Sequence, residues 1–231
     1  MIYGTLYIVS TSIGNLEDMT LRALRILKEV DLIASEDTRI TRQLLSHYDI
    51  HTPLTSYNEH NKIFKGNYLL GLLKHGKNIA LTSSRGTPLI SDPGYPLVRD
   101  AIKDGIDVRP IPGASAVISA LVVSGMPADR FLFLGFLPRK EGKIKDALRR
   151  AMSCGRTVIL YESPFRVIRT LRTISETCGN VKVVLAREMT KKFEEIIRGD
   201  VVEVLEKLGE RDIKGEVTLL LHNPAPEEAD D

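Results

Sequence analysis

Short apolar runs in the first half of the chain end abruptly in polar turns that contain glycine, and a helical pattern follows each turn. The three clearest runs are residues 6–9, 79–81 and 106–108. Strands that alternate with helices pair in parallel, so their carboxyl ends meet at one edge of a sheet, where open α/β folds bind ligands. The pattern therefore predicts a small-molecule site built from the three turns.

The remaining segments of the first half continue the alternation. Thr20 is expected to cap a helix that places Leu21, Leu24 and Leu27 on one buried face, and a short buried strand follows at residues 31–35. Further elements are a helix at about 38–48, a weak strand at 53–56 and a helix at about 63–74.

A second unit begins after a helix rich in Ala, Ser and Val that follows Gly113. Strands at residues 193–198 and 183–187 are expected to form an antiparallel pair, which predicts a mixed sheet. The other strands of this half are expected at residues 131–134, 157–161 and 216–221. The fold class is α/β with two domains, residues 1–112 with a mostly parallel sheet and flanking helices and residues 113–231 with a mixed sheet.

Length and composition indicate a globular protein, since the 231 residues are 43% hydrophobic. No apolar run approaches the roughly 18 residues of a membrane span, and no secretory signal precedes the first strand, so we expect a cytoplasmic protein without a membrane partner. Cys154 and Cys178 lie far from each other and from any histidine cluster, which predicts no metal site. The acidic tail at residues 227–231 is expected to be disordered.

Positive charge is concentrated in one part of the chain. The formal net charge is only +2, but residues 139–172 contain ten basic and three acidic residues, a local net charge of +7. Clustered Lys and Arg are typical of a surface that contacts a phosphate backbone. Solvated helix faces carry similar charge, and the pattern alone leaves both interpretations open.

The common nucleotide-binding loops are missing from the glycine turns. Gly14 closes a turn between a strand and a helix, and Glu36 ends the next strand at about the position of the acid in dinucleotide-binding folds. The G-x-G-x-x-G glycines are absent, however, and so is the G-x-x-x-x-G-K-[ST] phosphate loop. The turns are therefore predicted to bind another ligand.

Longer motifs give the chain a specific family resemblance. They occupy residues 13–24, 36–39, 86–95, 110–116, 135–140, 161–164 and 186–191. Together they closely resemble the bacterial 16S ribosomal RNA cytidine 2′-O-ribose methyltransferases of the tetrapyrrole methylase superfamily, the class III methyltransferases that use S-adenosylmethionine. The resemblance covers almost the whole chain.

The resemblance implies an S-adenosylmethionine-dependent transferase that methylates 16S ribosomal RNA or the small ribosomal subunit. It also implies a homodimer in which each chain folds as two α/β domains with the cofactor in the cleft between them. The family's cofactor contacts, carried over by motif position, fall on Ile13, Ser84, Gly86, Thr87, Ser115, Ala116, Tyr161 and Glu188. Backbone donors where loops enter helices suit the carboxylate and ribose of such a ligand.

Carboxylates at strand ends are candidates for the chemical step. Glu36 and Asp37 could accept the hydroxyl proton or hold the hydroxyl, and Arg39 could balance their charge or bind phosphate. The alternative for this trio is an ion-pair cluster that fixes the following helix. Glu162 is a further catalytic candidate, with a cap for the helix after Pro164 as its alternative.

Three positions depart from the family pattern. Ser84 and Arg85 replace the usual aspartate and alanine, which removes an acceptor and is expected to weaken cofactor binding. Ser12 replaces a proline, and Phe165 replaces the histidine of the E-S-P-H-R motif. Two other functions therefore stay open, a tetrapyrrole C-methyltransferase of the precorrin type and a weakened relative that only binds RNA. The basic segment favours the RNA methyltransferase.

Overall fold

The computed structural model describes residues 2–223 and divides the chain into two compact units, Met1–Ser115 and Ala116–Asp231. The acidic tail lies outside the described residues, so its predicted disorder is not tested. Each unit has its own sheet, and helices cover both faces of each sheet.

The first unit is built on a five-stranded sheet in which every strand pair is parallel, with the order β3-β2-β4-β1-β5. Its strands are β1 (Thr5–Val9), β2 (Leu32–Ser35), β3 (Leu54–Ser56), β4 (Ile79–Thr82) and β5 (Asp107–Ile111). Its helices are α1 (Leu21–Glu29), α2 (Thr38–His47), α3 (Lys62–Lys74) and α4 (Tyr95–Lys103). The predicted parallel sheet is confirmed.

Successive strand residues of this sheet point into two separate cores. Ile33 and Ala80 pack against α1 and α2, whereas Ala34 and Leu81, their neighbours along the chain, pack against α3 and α4. This alternation is the period of two that a pleated strand imposes, and burial on both faces explains why the strands read as short, uninterrupted apolar runs.

The second unit is built on a mixed sheet with the order β6-β7-β10-β8-β9. Its strands are β6 (Phe131–Phe136), β7 (Thr157–Glu162), β8 (Lys182–Arg187), β9 (Glu195–Asp200) and β10 (Val217–His222). Its helices are α5 (Ala116–Val122), α6 (Glu141–Met152), α7 (Val167–Cys178) and α8 (Val201–Leu208). Only β6 and β7 pair in parallel, and the predicted antiparallel pair of β8 and β9 is confirmed.

Two local predictions need correction. Thr20 caps α1 as expected, its hydroxyl accepting a hydrogen bond from the Ala23 amide at 3.1 Å, but Leu21 is 86% exposed and the buried face is formed by Ala23, Ile26 and Leu27. The strand predicted from the third apolar run, which is β5, also extends beyond residue 108. It continues to Ile111 because β5 is an edge strand, where a proline can stand without removing a needed hydrogen bond.

Gly113 allows two chain segments to approach each other after β1 and β5. A Cβ atom at Gly113 would lie 2.9 Å from the Ser10 Cβ and 3.4 Å from the Ser10 carbonyl oxygen. Any side chain there would therefore push the two turns apart.

We expect Gly113→Ala to lower the free energy of unfolding by about 1–3 kcal/mol, because the added methyl group overpacks this contact. Gly71→Ala is the matched control in the same unit, since nothing lies within 4 Å of a Cβ at that position of α3. It should raise stability by about 0.5–1 kcal/mol. Urea denaturation followed by circular dichroism measures both, and equal effects would contradict the argument.

Candidate functional site

The loops that follow β1, β4 and β5 are joined by a network of hydrogen bonds. The Thr11 amide donates to the Gly86 carbonyl oxygen at 2.8 Å, and the Gly86 amide donates to the Ser12 carbonyl oxygen at 3.1 Å. The Thr87 hydroxyl lies 3.0 Å from the Ser10 hydroxyl and donates to the Ala114 carbonyl oxygen at 3.1 Å. The structure therefore gathers the three polar turns at one edge of the sheet.

The loop after β4 has an unusual backbone conformation. Gly86 has φ of 76°, and two residues with side chains, Leu89 and Ser91, have φ of 73° and 67°. Such conformations cost about 1–3 kcal/mol each where glycine is absent, and they concentrate at ligand sites. A Cβ at Gly86 would lie 3.1 Å from Cγ2 of Ile13, so glycine also permits contact between the first two loops.

Glu36 belongs to a cluster of polar groups at the ends of β2 and β4. The Ser84 hydroxyl donates to Oε2 of Glu36 at 2.8 Å. Asp92, from the loop between β4 and α4, lies close enough for the Glu36 charge to act on it. Burial and that charge raise the pKa of the half-buried Asp92 to about 6, and a hydrogen bond from Ser83 opposes the shift.

Asp37 and Arg39 form a different arrangement. Asp37 caps α2 and accepts a hydrogen bond from the Arg39 amide at 2.8 Å. Its carboxylate also forms an ion pair with the Arg39 guanidinium at 2.7 Å. These bonds hold the pKa of Asp37 near 2. A carboxylate so strongly stabilised as the anion is a poor proton acceptor, which favours the structural alternative for this pair.

Glu162 is enclosed at the end of β7. Its carboxylate accepts hydrogen bonds from the Ser163 amide at 2.7 Å and the Thr170 hydroxyl at 2.6 Å, and Nε of Arg166 lies 3.4 Å away. The side chain is completely buried. These contacts join the end of β7 to α7, and they favour a structural role over a catalytic one.

The other predicted cofactor contacts are divided between the units. Ser115 is the last residue of the first unit, and Ala116 begins α5 in the second. Tyr161 packs edge-to-face on Phe133 with ring centroids 5.0 Å apart. Glu188 has φ of 50° and accepts hydrogen bonds from the Lys191 ammonium at 2.7 Å and the Glu216 amide at 2.9 Å.

The basic segment is only partly neutralised by ion pairs. Lys145 lies 3.1 Å from both Glu141 and Glu176 and so carries little free charge. Within residues 2–223, Lys140 and Lys143, which stand where α6 begins, make no ion pair. The other cations of the segment without an ion pair among the described residues are Arg139, Arg150, Arg156 and Arg172. Fewer basic side chains of this segment are therefore available to contact a polyanion than the count of ten suggests.

Asp92 was not among the residues predicted from the sequence. Its position in the motif at residues 86–95, directly after β4, was a usable signal, but the approach to Glu36 and Ser83 becomes visible only in the fold. The cysteines carry no comparable cluster. Both thiols are free, and among the described residues no group of three or more His, Cys, Asp or Glu side chains is arranged to hold a metal ion.

Comparison with known proteins places this geometry in a family. The model of the Tetrapyrrole (Corrin/Porphyrin) Methylases matches residues 5–205. The chain belongs to the tetrapyrrole methylase family. Its relatives include proteins named ribosomal RNA small subunit methyltransferase I from Halalkalibacterium halodurans, 51% identical over 94% of this chain and 75% of the relative, and from Thermotoga maritima, 47% identical over 94% and 98%. The predicted family is thereby confirmed.

Solved structures agree on the fold. A diphthine synthase covers 95% of this chain and 90% of its own at 15% identity, with a TM-score of 0.74. A cobalt precorrin-4 methyltransferase covers 94% of each chain at 16% identity, with a TM-score of 0.70. The two neighbours share the tetrapyrrole methylase fold with this chain, and at such identities the likeness concerns the fold alone.

Members of a methylase family take the methyl group from S-adenosylmethionine, and the loops of the first unit fit such a ligand. The hydroxyl of Thr11 is buried and has no hydrogen-bond partner among the described residues, so a polar ligand would satisfy it. Ser10 and Thr87 add hydroxyls at the same edge, and Gly86 lets the first two loops pack closely beside them. Of the described residues, none forms a helix long and apolar enough to cross a bilayer.

The raised pKa of Asp92 predicts a pH-dependent cost to stability. The folded state binds the proton more tightly than the unfolded state, so stability falls as pH rises from about 4 to about 6. Asp92→Asn should therefore gain stability over the parent between pH 4 and pH 7. The full shift corresponds to about 3 kcal/mol, reduced to about 1–2 because solvent reaches the carboxyl.

Denaturation at pH 4 and pH 7 measures this gain, and Asp37→Asn is the control, whose difference from the parent should stay nearly constant over this range and change only below about pH 4. The lowered pKa of Asp37 stabilises the fold above about pH 4, and this contribution disappears as pH falls toward 2. A difference between Asp92→Asn and the parent that does not change with pH would contradict the assignment.

Proposed function

We propose that the protein transfers the methyl group of S-adenosylmethionine to the ribose 2′-oxygen of a cytidine in 16S ribosomal RNA, acting as a cytoplasmic homodimer. The observation that carries the proposal is the set of relatives named ribosomal RNA small subunit methyltransferase I, 51% identical over almost the whole chain in one case. The motifs of the cytidine ribose methyltransferases support the choice of nucleotide and atom.

The methyl donor supplies an electrophilic sulfonium methyl group and needs no metal to react. The chain must hold the donor, align the ribose hydroxyl with the methyl group and remove the hydroxyl proton. We assign donor contacts to Ile13, Ser84, Gly86 and Thr87 in the first unit. Ser115, Ala116, Tyr161 and Glu188 complete the proposed set.

Glu36 is the strongest candidate for the proton acceptor among the residues predicted from the sequence. Its carboxylate is oriented by the hydrogen bond from Ser84, and it lies near Asp92, whose pKa of about 6 leaves that group able to take up a proton near neutral pH. Asp37, Arg39 and Glu162 are more strongly committed to neighbouring residues, so we assign them to positioning the loops.

The alternative of a tetrapyrrole C-methyltransferase has one supporting observation, the shared fold with a cobalt precorrin-4 methyltransferase. That similarity is 16% in sequence, and at such identity it concerns the fold and does not identify a substrate. An RNA-binding relative without activity would result if Ser84 and Arg85 prevented donor binding. Calorimetry with S-adenosylmethionine identifies this last case, because such a relative would not bind the methyl donor.

The proposal predicts that purified protein and labelled S-adenosylmethionine place one methyl group on a cytidine ribose of 16S ribosomal RNA. Mass spectrometry of nuclease-digested RNA locates the methyl group, with free RNA and isolated small subunits as the two substrates. Glu36→Gln should lower the turnover rate about 10²- to 10⁴-fold because it removes the proton acceptor, while calorimetry shows donor binding within about twofold of the parent.

Asp37→Asn is the matched control, because the same carboxylate-to-amide change there removes an ion pair with Arg39 and should affect turnover much less. A methyl group found only on a base, or only on a precorrin in a parallel assay, would refute the proposed reaction. Equal losses for Glu36→Gln and Asp37→Asn would refute the assignment of Glu36.

The basic segment predicts a measurable salt dependence of RNA binding. The double variant Lys140→Ala with Lys143→Ala should reduce the slope of log affinity against log salt by about one per lost phosphate contact, because fewer counterions are released. Lys145→Ala should change the slope less, since Glu141 and Glu176 already neutralise that ammonium. Fluorescence anisotropy at salt concentrations from about 50 to about 300 mM measures the slope for each variant. Identical slopes in all variants would assign these lysines to a solvated face.

A further inference from the structure

One edge of the second sheet collects three connections that are distant in sequence. β6 and β7 run parallel, so both end at this edge. The strand register pairs Glu162 with Val217 and Val217 with Arg187, which places the end of β8 there as well. The connections after β6, β7 and β8 therefore lie side by side.

Each of these connections, or the strand end that precedes it, exposes a phenylalanine. The exposed fractions are 59% for Phe136, 91% for Phe165 and 65% for Phe193. Phe136 also contacts the Tyr161 ring, with centroids 5.6 Å apart, which restrains its orientation. Exposure of several large aromatic side chains at one edge leaves apolar area in water, and such patches mark interaction sites.

The same connections also carry cations. Arg139, Lys140 and Lys192 make no ion pair within residues 2–223, and the ammonium of Lys192 lies 5.6 Å from the centroid of the Phe193 ring. Arg166 donates hydrogen bonds to the carbonyl oxygens of Leu137 at 3.2 Å and Pro138 at 3.0 Å. These two bonds tie the loop that carries Phe165 to the basic loop that follows β6.

We propose that this edge is a stacking surface for an unpaired stretch of RNA, on which Phe165 stacks against a base while Arg139 and Lys140 contact the flanking phosphates. The inference rests on the proposed function and specifies the form of RNA that the enzyme recognises. Aromatic rings combined with unpaired cations are the features by which proteins hold single strands. A duplex buries its base faces in its own stack and cannot use the rings in this way.

The spacing of the strands supports more than one stacking position. Phe136 and Phe165 follow neighbouring strands, and Phe193 follows β8, which lies two positions beyond β7 in the sheet. Neighbouring strands are about 4.8 Å apart, so the three connections spread over roughly 15 Å of this edge. Phe165 is the most exposed of the three and is the position to test first.

The experiment measures binding of a fluorescein-labelled single-stranded RNA, with the sequence of a 16S ribosomal RNA segment, by fluorescence anisotropy in the absence of methyl donor. Phe165→Ala should weaken binding about 5- to 100-fold without changing the salt slope, because a stacking contact releases no counterions. Phe165→Tyr should restore affinity, and Phe165→Leu, which is apolar but lacks a ring, should not. Annealing the complementary strand should abolish the difference between Phe165→Ala and the parent.

Phe64→Ala is the control, since Phe64 is 76% exposed on α3 of the first unit and is not one of the three phenylalanines at this sheet edge. Binding by Phe165→Ala equal to that of the parent would overturn the inference, and so would full rescue by leucine, which would show that an apolar side chain without a ring is enough to hold the RNA. The methylation assay is separate. If Phe165→Ala weakens RNA binding but the parent protein does not methylate 16S ribosomal RNA, the proposed function is refuted and this inference stands. If the parent methylates 16S ribosomal RNA but Phe165→Ala binds RNA as tightly as the parent, only this inference is refuted.

Discussion

Parallel pairing with both sheet faces buried forces the strands of the first unit to end at a single edge, and the arrangement of the polar loops depends on this constraint. Ile33 and Ala34 show how strict it is, because a shift of one residue would exchange their two cores. With the strands fixed in register, the turns after β1, β4 and β5 cannot move apart. The hydrogen bonds among Thr11, Ser12 and Gly86 then hold a loop whose backbone would otherwise be unfavourable.

The same constraint explains which features could be predicted from the sequence. Strand ends and helix starts follow from local patterns, so the three loops and the Thr20 cap were accessible. Leu21 was wrongly predicted to lie on the buried face of α1, because the spacing of apolar residues does not define where that face begins and ends. Ala23 and Ile26 are buried instead. Asp92 was missed for another reason. Its pKa is raised by burial and by the charge of Glu36, which is distant along the chain and is brought close by the pairing of β2 with β4.

Ser84 has an electrostatic meaning that a comparison of motifs alone does not reveal. An aspartate at this position would stand beside Glu36 and near Asp92, adding a third carboxylate to a group in which the pKa of Asp92 is already raised. The serine instead donates a hydrogen bond to Oε2 of Glu36 and fixes the orientation of its carboxylate. The departure from the family pattern therefore removes a possible acceptor for the donor molecule while it orients the candidate base.

Charge in the second unit divides in a similar way between structure and recognition. Lys145 pairs with Glu141 and Glu176, and the Arg166 guanidinium donates hydrogen bonds to backbone carbonyl oxygens. These cations therefore stabilise α6, α7 and the loops before them. Lys140 and Lys143 have no such partners in the described part of the chain. Cations that pair with no neighbouring carboxylate are free to neutralise RNA phosphates, and each phosphate that they neutralise releases counterions from the RNA, which produces the salt dependence of binding. The positive surface relevant to RNA is thus set by the ion pairs of the fold and not by the number of basic residues in the segment.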